Sequence, residues 1–223
     1  MPMDLPRISL GRMQNPVRGF LHGGAALIAA ALGIPLLLMR ASSATALIGG
    51  LVFGLALVAL YVTSALYHTI PWGTVWKRRM RRLDHSMIFV LIVGTFTPVA
   101  LVGLDGTVRL AALAIGWTIA VVGIVHQIMT KTPGMALSIA LKATLGWLSV
   151  LVMIPLAHTL GVMPVVLLAI GGAVYTVGMV LLVTERPRLW PRVFSYHELF
   201  HVLTIVASTF HFVVAYRYLM IAS

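Results

Sequence analysis

The sequence predicts an all-α integral membrane protein, a bundle of seven transmembrane helices, and three observations predict it. Hydrophobic residues make up 60% of the 223 positions and charged residues only 9%. With a mean hydropathy of +1.02, a soluble fold of this size could not cover its apolar surface, so the bilayer is the expected solvent. The apolar residues also fall into seven runs of about 20, the length that crosses the hydrocarbon core. Turn residues and charges mark most of the breaks between them.

Taken in order, span 1 is expected over Phe20–Met39, span 2 over Ala44–Tyr67, span 3 over Leu83–Gly103 and span 4 over Leu110–Met129. Span 5 is expected over Met135–Pro155, span 6 over Leu160–Val183 and span 7 over His197–Leu219. The breaks are Arg-Ala-Ser-Ser at 40–43, Leu-Asp-Gly at 104–106, Lys-Thr-Pro-Gly at 131–134 and Glu-Arg-Pro-Arg at 185–188. The weakest break is 156–159, where only His158 and Thr159 separate two apolar runs. There is no repeat and no low-complexity tract. The organisation is therefore a short polar arm, residues 1–19, followed by one helical domain, residues 20–219. The arm carries Arg7, Arg12 and Arg18 and lacks a small-residue cleavage site, so no cleavable signal peptide is expected.

A net charge of +11 suits either nucleic acid or the cytoplasmic excess of Lys and Arg that orients membrane proteins. Five basic residues form one run, Lys77, Arg78, Arg79, Arg81 and Arg82, between two apolar stretches. No soluble basic face exists to hold nucleic acid, so no nucleic-acid partner is expected; the run suits anionic lipid headgroups. Seven spans put the N-terminus and loops 2–3, 4–5 and 6–7 on one side, with Arg7, Arg12, Arg18, the five-residue run, Lys131, Arg186, Arg188 and Arg192. The other side has Arg40, Arg109 and Arg217; Lys142 lies within span 5. The bias predicts a cytoplasmic N-terminus and an outer C-terminus, with Trp72, Trp76 and Trp190 in cytoplasmic loops.

Ionisable groups inside a span are costly and usually functional. In span 7, His197, His201, Thr204, Ser208 and His211 recur at helical spacing and form one polar stripe. His197 and His201 stand one turn apart, close enough for both imidazoles to reach one ion. A pair of interfacial histidines bonded to loops would show the same spacing, so depth decides. Span 2 ends with Ser64 and His68, one turn apart and with Tyr61 on the same side, and span 3 begins with Asp84. His68, Asp84, His197 and His201 thus reach about the same depth near the cytoplasmic interface from three helices. Three His and a water are a familiar catalytic zinc set. Asp84 and Ser64 are placed to bind that water or to orient a ligand His. The chain has no cysteine, which excludes a thiolate site.

The remaining histidines rank lower. His22 and His126 sit near the same face and suit the cavity lining or, more simply, the interface. His85 points away from Asp84 around the helix, His211 is about 15 Å deeper than His201, and His158 is expected in an outer turn. His197-Glu198-Leu199-Phe200-His201 also matches the HExxH pattern of zinc proteases, in which the Glu is the general base. The acidic Leu104-Asp105-Gly106 that would complete an intramembrane protease falls on the opposite side and precedes the motif, which argues against that activity. Glu198 is expected to face the interface or a neighbouring helix.

Three motifs, Ser-Ala-Leu-Tyr-His at 64–68, Arg-Leu-Asp-His-Ser at 82–86 and His-Glu-Leu-Phe-His at 197–201, lie in order on spans 2, 3 and 7. Together with seven spans, they resemble the haemolysin III family, the bacterial branch of the progestin and adipoQ receptor superfamily. The resemblance implies zinc held by His68, His197 and His201, with a water near Asp84 and Ser64, in a multi-pass protein of the bacterial inner membrane. It further implies a ceramidase-like hydrolase acting on a lipid amide or ester near the cytoplasmic leaflet, with a role in membrane lipid homeostasis. Membrane lipids and a lipid-like substrate are the expected partners. The alternative is a non-enzymatic haemolysin III-type protein, cytolytic or sensing the state of the membrane. A transporter would need charge through the full depth, where only His211 lies deep on the stripe.

Overall fold

The computed structural model describes residues 13, 15–130, 134–190 and 193–222 of the chain. Among the described residues there is no β-strand, and seven helices are long and apolar enough to cross a membrane. They are α1 (Pro16–Arg40), α2 (Ala44–Thr69), α3 (Thr74–Gly103), α4 (Gly106–Met129), α5 (Met135–Leu160), α6 (Val162–Thr184) and α7 (Tyr196–Leu219). Three of them change pitch internally: α1 has a π turn at Ala29–Gly33, α5 a 3-10 stretch at Leu148–Val152, and α7 ends in a π turn at Ala215–Leu219.

Local chemistry sets the ends. Pro16 opens α1, where a missing N–H costs nothing. The Ser43 hydroxyl accepts the Ala46 N–H at 3.2 Å and caps α2. The expected break at His158 and Thr159 is corrected: α5 continues to Leu160, and His158 is exposed in its last turn. The chain turns instead at Gly161, whose φ of +85° is a conformation that residues with a Cβ rarely adopt. Span 3 is also longer than expected. It begins at Thr74, so Trp76 and the basic run at 77–82 lie on helix, not in a loop. Lys and Arg are good helix formers, and their long stems carry the charged heads away from the apolar depth.

Helix α3 is central. Within the most apolar stretch of each helix, 67% of residues are buried in α3 against 17% in α4 and in α6. It lies close to α2 because Gly94 faces Ala56; a Cβ at Gly94 would come 2.4 Å from that methyl group. Alternating helices bring their ends together at two faces. At one face the Asn15 N–H donates to the His68 carbonyl at 2.9 Å, and Arg82 donates to the Ile128 carbonyl at 2.9 Å. At the other, the Ser42 N–H donates to the Met220 carbonyl at 2.8 Å, and Arg40 to the Tyr216 carbonyl at 2.9 Å. The first face carries the run at 77–82 and is the basic face of the bundle. Of the residues behind the expected orientation, Arg7, Arg12, Lys131 and Arg192 lie outside the described residues.

Replacing Gly94 with Leu is expected to wedge α2 from α3 and cost about 1–3 kcal/mol. Thermal unfolding of the detergent-solubilised protein reads this as a lower midpoint; an unchanged midpoint would contradict the close crossing.

Candidate metal centre

Three histidines converge at the basic face. His68 comes from the last turn of α2, and His197 and His201 from the first two turns of α7. One ring nitrogen from each lies within 4.8 Å of the others, a geometry that could hold a metal ion. The ring centres stand 5.4 Å apart for His68 and His197, 5.0 Å for His68 and His201, and 5.2 Å for His197 and His201. His68 and His201 are buried and His197 partly so. The buried Nδ1 of His201 has no hydrogen-bond partner among the described residues. Imidazole nitrogens suit zinc and several other divalent ions, so the donor set fits a metal without naming it.

Ser64 stands one turn before His68 on α2 and is buried. Asp84 lies on α3, which brings it to the same end of the bundle, beside Ser64. The two residues expected beside the histidines are therefore neighbours, and α2 places Ser64 one turn from His68.

Glu198 and Arg18 are the residues whose roles differ most from the sequence reading. Glu198 is buried against a neighbouring helix, one of the two placements expected for it, and both its oxygens are engaged. Oε1 accepts from Arg18 Nε at 2.7 Å, and Oε2 accepts from the Ser195 N–H at 2.9 Å at the start of α7. The ion pair is withdrawn from solvent, with side-chain exposures of 6% and 8%. Arg18 is thus part of α1 and of the bundle interior, not a loop cation. A carboxylate committed in this way is a helix cap and an ion-pair partner; the general-base role of an HExxH motif would need it free.

His22 stands one turn beyond Arg18 and is also buried. Its ring centre lies 4.0 Å from that of His201 and 5.0 Å from that of Tyr61, and neither ring nitrogen is hydrogen-bonded among the described residues. The site therefore holds a fourth imidazole, packed on a candidate ligand. The sequence did contain a signal. Arg18 and His22 share a face of α1 one turn apart, as Glu198 and His201 do on α7.

Other polar groups have partners of their own. His126 Nδ1 lies 3.3 Å from Thr130 Oγ1, while its buried Nε2 has no hydrogen-bond partner among the described residues. Deeper on the stripe, Thr204 donates to the Phe200 carbonyl at 2.9 Å, and Ser208 shares a 2.6 Å hydrogen bond with Tyr175. His211 Nδ1 lies 2.8 Å from the Ala207 carbonyl. The stripe is polar in sequence but closed within the bundle.

Arg18→Met or Glu198→Gln alone is expected to destabilise the protein by about 3–5 kcal/mol, because each removes one charge of a buried ion pair and leaves the other uncompensated. The double variant is expected to lose less than the sum. Unfolding midpoints of the four proteins check this, and additive losses would contradict it.

The comparisons with known proteins agree with this architecture. A family model described as "Haemolysin-III related" matches residues 11–212. Hemolysin-3 from Bacillus cereus is 32% identical over 191 residues, covering 83% of this chain and 84% of its own. A Hemolysin-3 homolog from Bacillus subtilis (strain 168) is 32% identical over 157 residues, 70% of each chain. With the seven spans and a match over most of its length, the chain belongs to the haemolysin III family.

Proposed function

We propose that this protein is a zinc-dependent hydrolase of the bacterial inner membrane that cleaves an amide or ester bond of a lipid and contributes to membrane lipid homeostasis. The basic face is read as cytoplasmic, so the substrate comes from the inner leaflet. The observation that carries the proposal is the gathering of His68, His197 and His201 at one end of the bundle, the end where Ser64 and Asp84 lie. A three-nitrogen set is the composition of catalytic zinc centres. The three histidines would hold zinc, and the chemistry it would supply there is Lewis acidity toward the carbonyl and the attacking water.

The chain's own residues supply the rest. His68, His197 and His201 would hold the ion, and the Arg18–Glu198 pair fixes the start of α7, whose first two turns carry two of them. Glu198 is committed to Arg18 and Ser195, which leaves Asp84 to take a proton from the attacking water and return it to the leaving nitrogen or oxygen. Ser64, the neighbour of Asp84, is placed to orient its carboxyl group. The site lies at the end of apolar helices, so a substrate that reaches it laterally through the bilayer is a lipid.

The names of the relatives favour a second reading, a non-enzymatic cytolytic protein. The closed stripe along α7 speaks against it, since Thr204, Ser208 and His211 are bonded within the bundle and offer no continuous polar path.

Asp84→Asn is expected to keep its metal and lose about 100-fold or more in turnover of an N-acyl lipid. Ser64→Ala should lose about 10–100-fold. His68→Ala and His197→Ala should lose metal and turnover together. Unchanged turnover by metal-free protein would refute the reading. Liposome leakage that survives the His substitutions would establish the cytolytic alternative.

A further inference from the structure

The face opposite the metal centre holds a cavity of about 410 Å³ lined by Arg40, Tyr216, Arg217 and Tyr218. Arg40 ends α1, and the other three are consecutive residues of the π turn that closes α7. A π turn bonds an N–H five residues back instead of four, and such turns recur at functional sites. The Met220 N–H accordingly donates to the Ala215 carbonyl at 2.9 Å. The Tyr216 carbonyl, its partner in an α-helical turn, instead accepts from Arg40 Nε at 2.9 Å. The Arg40 guanidinium also lies over the Tyr216 ring, 4.8 Å from its centre. Tyr216 stacks in turn on Phe212 at 6.1 Å, with 6° between the ring planes. The guanidinium is thus held by its Nε and by one face before any ligand arrives.

Neither Arg40 nor Arg217 has an acidic partner among the described residues, and Asp105, the acid of this face, pairs with Arg109 at 2.9 Å. Two cations brought by different helices to one cavity focus the field for an anion, and guanidinium groups match phosphate oxygens. The surroundings are apolar: Leu36 and Met39, in the turn before Arg40, and Ile221, just past the π turn, are exposed. The cavity lies where apolar surface gives way to charge at the ends of two spanning helices, the depth of lipid phosphates.

We propose that this cavity binds the phosphate of an anionic phospholipid, held by Arg40 and Arg217, with the acyl chains against the apolar surface of α1. The bound headgroup joins α1 to α7 at this end of the bundle, as Arg18 and Glu198 join them at the other. With the basic face read as cytoplasmic, the lipid belongs to the outer leaflet. The site is independent of the hydrolase reading, since the cavity and the three histidines occupy opposite ends of α7.

Native mass spectrometry of the full-length protein in detergent, titrated with phosphatidylglycerol, counts bound lipids and gives the affinity of the first. Arg217→Gln and Arg40→Gln are each expected to weaken that affinity about 10-fold or more. Arg109→Gln, which removes the same charge from the same face outside the cavity, should change it less than about twofold. Arg217→Lys should recover only part of the loss, because an ammonium cannot present two parallel donors. Phosphatidylcholine, whose headgroup carries no net charge, should bind more weakly, and inorganic phosphate should not displace the bound lipid. Wild-type affinity in Arg217→Gln would overturn the proposal, and so would an equal loss in Arg109→Gln or equal binding of phosphatidylcholine. Displacement by inorganic phosphate would overturn the assignment to a lipid and mark a site for the free anion. Arg217 has no partner in the fold among the described residues, so its variant decides the matter even if Arg40→Gln does not fold.

Discussion

Hydrocarbon gives an ionised side chain nothing to bind, so each charge carried into the bundle has to find its partner within the protein. The buried contact between Arg18 and Glu198 meets that constraint and organises the site at the same time. Glu198 uses one oxygen to cap α7 and the other to hold α1. The first turn of α7 is thereby fixed in depth and rotation, and that turn and the next carry His197 and His201. Breaking the pair would free the helix that supplies two of the three candidate ligands. One turn along α1 from the same pair, His22 packs its ring on His201. Stability and site geometry meet in a single interaction.

The odd number of spans has the same importance at a larger scale. His68 ends α2, while His197 and His201 begin α7. Those ends share a face only if an even number of crossings lies between them, and α3 to α6 supply four. The polar residues deeper on α7 take no part. Each is bonded within the helix or to Tyr175, so the stripe is taken up in packing and the candidate metal site lies at the basic face. A site of that kind, at the end of an apolar bundle, suits a ligand that already resides in the membrane.

Much of this is legible in the sequence because hydrophobic length and helical period are one-dimensional signals. Seven spans follow from run length alone, and the His triad follows from spacing on α7 combined with depth on α2. What stays hidden depends on helix rotation. Arg18 looks like one more loop cation, because nothing in its own neighbourhood says that it faces Glu198. Glu198 suits either the interface or a neighbouring helix for the same reason, and His22 looks like an interfacial residue until α1 is placed against α7. Helix ends mislead where residue type and conformation diverge. The basic run at 77–82 looks like a loop by hydropathy but is helical, since Lys and Arg extend helices as readily as apolar residues do. The turn between α5 and α6 is set by Gly161, a backbone requirement that hydropathy does not register.

The central claim is that His68, His197 and His201 are ligands of one ion. X-ray absorption spectroscopy at the metal edge of the purified protein tests it most directly. About one zinc per chain is expected, with a first shell of three imidazole nitrogens and one oxygen, and that shell should lose an imidazole or empty in His197→Ala. A protein that binds no stoichiometric metal, or a shell of oxygens unchanged by that substitution, would contradict it.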